Sequence, residues 1–171
     1  MDDQLKLISK KILNSTSLTF SSSEIDDLTH FSIIDRLILS KLNQKFSGRC
    51  VGNGFVLSNF ITIKNKSEIY FPHESLNVSY KIDVEFSSLV VNPKIGIQLK
   101  MKIETTNKIG YLGSLHESVM SPLVILCPLD LTKNKDIFKG KTEGDIITVK
   151  IVGTKFEQND KKITVIAEIL K

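Results

Sequence analysis

The clearest pattern in the chain is the alternation of Leu76, Val78, Tyr80, Ile82, Val84 and Phe86 with Asn77, Ser79, Lys81, Asp83 and Glu85. Period two over that length predicts a long strand with one buried and one wet face. A helical period runs ahead of it. Ile25, Leu28, Phe31, Ile34, Leu37, Ile38 and Leu42 recur at three- and four-residue steps, behind Ser21-Ser22-Ser23-Glu24, which has the spacing of a capping box. These positions predict a helix over about 22–43. The apolar positions before it, from Leu5 to Phe20, predict an irregular strand or two.

Between helix and long strand the pattern is broken into short pieces. Phe46 to Val51 predicts a short strand, Gly52-Asn53-Gly54 is turn chemistry and Phe55-Val56-Leu57 resumes. Asn-Gly between apolar runs favours a hairpin because both positions tolerate positive φ. Ile61-Thr62-Ile63 and Ile69-Tyr70-Phe71 predict two more strands, the second stopped by Pro72. After the long strand, Ser87 to Pro93 is expected to cross into the second half, with Pro93 as the boundary.

The second half predicts five strands. Ile97 to Ile103, Ile109 to Leu112, Leu123 to Cys127, Ile147 to Ile151 and Ile163 to Ile169 each carry alternating or continuous apolar positions. The longest connection, Thr132 to Gly144, lies between the third and fourth. That arrangement suits a small Greek-key OB barrel. The expected fold is α+β: an N-terminal domain over 1–92, with a helix packed on a small antiparallel sheet, then a five-stranded OB barrel over 93–171.

Composition adds a location and a polarity. The chain has 171 residues, 41% hydrophobic and 25% charged, long enough to bury a core without staples. Cys50 and Cys127 lie far apart, which excludes a disulfide scaffold and the usual zinc ribbons. No apolar run approaches the ~20 residues of a membrane span, and MDDQ lacks the order of a secretory signal. An intracellular, soluble chain without a membrane partner is expected. Residues 1–85 carry ten Lys/Arg and ten Asp/Glu, whereas 86–171 carry thirteen Lys against nine acids. A neutral front and a basic back suggest modules with different partners.

No catalytic constellation is visible. His30, His73 and His116 lie on different elements, none at a ligand spacing such as HExxH, so no metal and no cofactor are expected. Cys50 and Cys127 read as small buried hydrophobes. Gly48, Gly52 and Gly54 precede strands, where a phosphate-binding fingerprint needs a helix. Asp26-Asp27 reads as a solvated pair on the helix surface. The binding residues are more substantive. Lys100 and Lys102 fall on the wet face of the first back-half strand, with Tyr111 on its neighbour, and a lysine-bearing face with an aromatic suits phosphate contact and base stacking. An ordinary barrel exterior with one core tyrosine is the plainer alternative.

Three stretches in this order are similar to a known family. Lys45-Phe46-Ser47-Gly48-Arg49-Cys50 with Gly54-Phe55-Val56-Leu57 looks like its strand-glycine-strand hairpin. Val84-Glu85-Phe86 through Leu89-Val90-Val91 and Pro93 to Gly96 looks like its domain junction, and Ile109-Gly110-Tyr111 matches the glycine-aromatic of its barrel. The chain resembles the larger stalk subunit of multisubunit DNA-directed RNA polymerases, the eukaryotic seventh-subunit and archaeal subunit-E family. It departs from that family at Ile97 and Met101, where the family usually has a glutamate and a glycine.

The resemblance implies a noncatalytic transcription subunit whose N-terminal tip domain docks on the large polymerase core subunits through Gly52, Asn53, Gly54 and Phe55. It implies a barrel near the RNA exit, where Lys100, Lys102, Lys108, Tyr111, Lys150 and Lys155 meet nascent RNA weakly and without sequence preference. A smaller helical stalk subunit is the family's common partner. The A/T-rich residue bias and the divergence are compatible with a large DNA virus, which would place the protein in cytoplasm or virion; a cellular eukaryotic source would place it in the nucleus. The alternative is a free-standing OB-fold RNA-binding protein of translation or RNA handling.

Overall fold

The computed structural model of the protein describes residues 3–21, 23–24, 31–71, 79–116, 120–131 and 140–170. The order of elements is α1 (Asp3–Ile8), β1 (Ser9–Ser21), α2 (Phe31–Phe46), β2 (Cys50–Val51), β3 (Gly54–Val56), β4 (Thr62–Lys66), β5 (Ser79–Val91), β6 (Gln98–Asn107), β7 (Gly110–Leu115), β8 (Leu123–Pro128), β9 (Ile146–Lys155) and β10 (Ile163–Ile169). A single turn of 3-10 helix follows β8 at Leu129–Leu131. The fold is α+β and dominated by strands. One sheet has the order β1-β5-β3-β2, with β4 also paired to β5, and the last five strands close a barrel. The chain divides into two compact units, one of residues 1–10, 48–55 and 90–171, the other of 11–47 and 56–89.

In the first unit the barrel closes in the order β10-β8-β7-β6-β9. Numbered within the barrel, β6 as the first strand pairs with the second and the fourth, and the fifth lies parallel to the third, as Ile163↔Leu123 and Val165↔Ile125 show. This is the strand order of an OB-like barrel. Closure requires one strand to serve both sheets, and β6 does so. Its residues 98–102 pair with β9 and 101–107 with β7. A register shift between Ile103 and Thr105 bends it there, as a bulge does. Gly113 lies opposite Ile103, where a Cβ would come closer than 3.0 Å to the Lys102 carbonyl and to Met101. Glycine is therefore the residue that lets the two strands approach at the bend.

The barrel interior follows from the alternation. Leu99, Met101 and Ile103 of β6, Ile147, Val149 and Ile151 of β9, and Ile163, Val165, Ala167 and Ile169 of β10 are all buried. Each Leu or Ile so buried contributes roughly 1.5–3 kcal/mol. Ser121 is buried with them, and its hydroxyl is satisfied by accepting from Leu115 N–H at 3.1 Å and donating to the Leu123 carbonyl at 2.9 Å.

The N-terminus differs from the expected irregular strands. Residues 3–8 form α1, because Leu5 and Ile8 share one face at a three-residue step and both are buried, while Lys6 pairs with Asp3 at 2.7 Å on the other. The strand begins only at Ser9. The backbone N–H of Asn92 donates to the Ile8 carbonyl at 2.9 Å.

In the second unit, the helix expected over about 22–43 ends later, at Phe46. Its described turns run Phe31–Phe46, and Ser23 and Glu24 are helical, while 25–30 lie outside the described residues. Phe46, expected to open a strand, is the last helical residue, because its ring packs on Phe86 with centroids 5.2 Å apart. Gly48, at φ +70°, turns the chain after it. The capping spacing has a physical counterpart: the Ser21 N–H donates to Glu24 Oε2 at 2.8 Å. Leu18, Phe20, Ile38, Leu42, Ile82, Val84 and Phe86 are buried, joining strand and helix faces.

The long strand also shifts. Residues 72–78, including Pro72, Leu76 and Val78, lie outside the described residues, and β5 continues through Ser87 to Val91, which had been expected to cross between halves. Alternation fails there because both faces are buried: Ser87, Ser88, Val90 and Val91 are all inaccessible. The expected strand at Ile69 to Phe71 reduces to one bridge, Tyr70 with Lys81.

A candidate nucleic-acid face on the barrel

Strand β6 positions the best-supported pair. Leu99, Met101 and Ile103 point inward, so Gln98, Lys100, Lys102 and Glu104 point out, and all four are exposed. Lys100 lies opposite Thr148 and Lys102 opposite Ile146 on β9, with Ser114 on the other flank of Lys102. Two residues along a strand span roughly 6.8 Å, so the two lysine side chains leave the same face of β6. Neither lysine has an ion pair among the described residues. The backbone behind them is held firmly. Lys100 N–H donates to the side chain of Gln4 at 2.6 Å, and the Lys100 carbonyl accepts His116 N–H at 2.9 Å.

The other expected binding residues are not gathered there. Lys150 also faces outward, opposite Gln98, but its ammonium stands 3.5 Å from Glu168. Lys108 lies in the turn after β6, where Asn107 Oδ1 accepts the N–H groups of Ile109 and Gly110. Lys155 ends β9 opposite Thr164. Because β9 runs antiparallel to β6, Lys108 and Lys155 leave by opposite ends of the barrel. Tyr111 points inward and is 7% exposed. Burial, and secondarily Asp145, pushes its hydroxyl above the ordinary value. A base needs an open ring face, so the lysines and not Tyr111 form the accessible part of this surface.

The turn Gly52-Asn53-Gly54-Phe55 is held against the rest of its unit. Cys50 pairs with Phe55 and Val51 with Gly54. Cys50 N–H donates to the Asp160 carbonyl at 2.7 Å and Asn159 N–H donates to the Cys50 carbonyl at 2.9 Å. Asn92 Nδ2 donates to the Asn53 carbonyl at 2.9 Å. A Cβ on Gly54, at φ +132°, would come closer than 3.0 Å to the Val91 carbonyl. Phe55 is 8% exposed, and the solvent-facing part of the turn is Gly52 and Asn53.

Among the described residues no three His, Cys, Asp or Glu side chains are grouped to hold a metal ion. His30, His73, Asp26 and Asp27 lie outside them. Cys50 and Cys127 are buried free thiols, both pushed up by that burial, to about 11 and about 12. A thiol held protonated is a poor nucleophile. No described helix is long and apolar enough to cross a membrane.

Sequence reasoning missed Gln4, whose amide serves the β6–β7 ladder from 96 positions away, and the Lys150–Glu168 pair. Neither leaves a local signal, since both are products of register. No family model matches the chain, and none of the curated proteins matches it.

Proposed function

We propose that the chain is a noncatalytic, stalk-type subunit of a multisubunit DNA-dependent RNA polymerase. The observation that carries this reading is the closed OB-like barrel directly after the long strand β5, in the position that the family resemblance assigns to it. The front half, including the turn at Gly52 and Asn53, docks on the large core subunits as a tip domain. The barrel sits near the RNA exit and offers Lys100 and Lys102 to phosphates of the emerging strand, without reading its sequence. Affinity purification of the tagged chain, with its companions identified by mass spectrometry, is the test.

A second reading, a free-standing RNA-binding protein of translation or RNA handling, is favoured by one observation. The outward lysine pair stands on a single barrel strand and needs no other chain to form it.

A further inference from the structure

We propose that the edge of β1, which no strand among the described residues pairs, takes up an extended segment of another protein, which joins the sheet as an added strand and carries acidic side chains at both its ends. This inference does not depend on the polymerase reading.

The edge follows from register. β1 is thirteen residues long and ends the strand order, with β5 as its neighbour on one side. The hydrogen bond from Asn92 N–H to the Ile8 carbonyl and the contact of Ser17 with Asp83 show the two strands running in opposite directions. In such a pair, every second residue turns both backbone groups toward its partner. The Ile8 carbonyl, one residue before β1, accepts from Asn92, one residue after β5, and alternation from that bond turns the backbone groups of Lys11, Leu13, Ser15, Ser17 and Thr19 away from β5. Thr19 demonstrates the direction: its carbonyl accepts Lys41 Nζ from α2 at 2.7 Å.

Proteins usually blunt such an edge with proline, with charge along its length, or by keeping it short. β1 does none of these through its middle. It contains no proline, Leu13 is 65% exposed, and no charge lies between Lys11 and Ser21. Beside its second half runs a groove of about 320 Å³, lined by Ser17, Leu18, Thr19, Lys41, Gln44 and Lys45, which gives room for a side chain of an added strand.

Charge selects the occupant. Lys11 stands at the start of the open stretch, and Lys45 reaches its far part at Thr16, beyond which Lys41 already holds the Thr19 carbonyl. Neither has a carboxylate partner among the described residues, and Lys45 donates to the Thr16 hydroxyl at 3.0 Å. Among the described residues, Glu24 is engaged with Lys41 at 2.9 Å and Asp83 with Ser17 and Tyr70. Main-chain bonds then supply affinity and the two lysines supply preference, as in other strand additions.

The test uses the full chain and fluorescein-labelled nonapeptides of sequence DEVTVTVED, either unmodified or N-methylated at alternate residues so that ladder donors are lost. The unmodified peptide is expected to bind, and methylation or Ser15→Pro to weaken it at least about tenfold. Proline at position 15 removes an outward N–H and leaves the β5 ladder intact. Lys11→Glu with Lys45→Glu is expected to weaken binding several-fold. Should Ser15→Pro misfold, the methylated peptide still decides. Equal binding of the two peptides, no binding at about 1 mM, or amide protons of Leu13, Ser15 and Ser17 that exchange as slowly in the free chain as those of Asn14 and Thr16 would each overturn the proposal.

Discussion

Gln4 Oε1 accepts the backbone N–H of Lys100 at 2.6 Å, joining the first helix to the first barrel strand across 96 positions of sequence. The same amide donates from Nε2 to the His116 carbonyl at 3.1 Å. One side chain therefore closes the end of the β6–β7 ladder where two backbone groups lack each other. Gln4→Ala leaves both to water or to nothing, at a cost of about 1 kcal/mol. In a chain of this size the melting temperature should fall by roughly 2–4 °C. A Gln4→Ala midpoint equal to that of the parent would show the bridge to be energetically idle.

Residues 1–8 contribute more than that bridge, since Leu5 and Ile8 are buried in the same unit as the barrel. A fragment beginning at Pro93 should therefore unfold at lower denaturant concentration than the full chain. The difference is measurable by circular dichroism.

Gly113 and Gly153 separate sterics from propensity. At Gly113 a Cβ would press on the Lys102 carbonyl and on Met101, whereas at Gly153 nothing lies within 4 Å. Gly113→Ala should cost about 1–3 kcal/mol through overpacking, and Gly153→Ala should be neutral within about 0.5 kcal/mol. Equal effects in urea denaturation would contradict the close approach of β6 and β7.

The two thiols make a pH-dependent contribution whose sign is fixed. Both are pushed up from 9.0, Cys127 to about 12 and Cys50 to about 11, first by burial and for Cys50 secondarily by Asp160. Between pH 9 and those folded values the native chain holds protons that the unfolded chain has lost. Their contribution is complete below pH 9 and is lost as pH rises through the folded values, so stability falls over that window. Cys50→Ala with Cys127→Ala should flatten the fall measured between pH 9 and 10.5. Neither thiol of the folded parent should react with a disulfide reagent at pH 8, and both should react in denaturant.

Lys100→Ala with Lys102→Ala tests the barrel face. If both lysines meet phosphate on single-stranded RNA, the logarithmic salt slope should fall by about 1.4 in magnitude, ~0.7 for each contact. Lys108→Ala with Lys155→Ala, at opposite ends of the barrel, serves as the comparison. An unchanged slope in the first variant would remove the phosphate assignment.

The barrel was legible because its strands alternate strictly: Leu99, Met101 and Ile103 face in, Lys100 and Lys102 face out, and period two alone separates them. The lysine pair was readable for the same reason. What alternation could not supply was register. Tyr111 lies one strand away from the lysines in sequence terms, but its parity puts it inside with Gly113 and Leu115. The α1 helix was missed because six residues are too few for a helical period to outweigh the apolar run that follows. The end of β5 was missed because Ser87 and Ser88 read as a polar break, while both are buried in the sheet.

The most direct measurement is co-purification of the tagged full chain from the cells that express it, with the amounts of every companion determined by mass spectrometry. The account predicts two very large polymerase subunits in near-equal amount to the tagged chain, retained after nuclease treatment. Recovery of ribosomal proteins, or of RNA alone with companions lost on nuclease treatment, would contradict it and favour a free-standing RNA-binding protein.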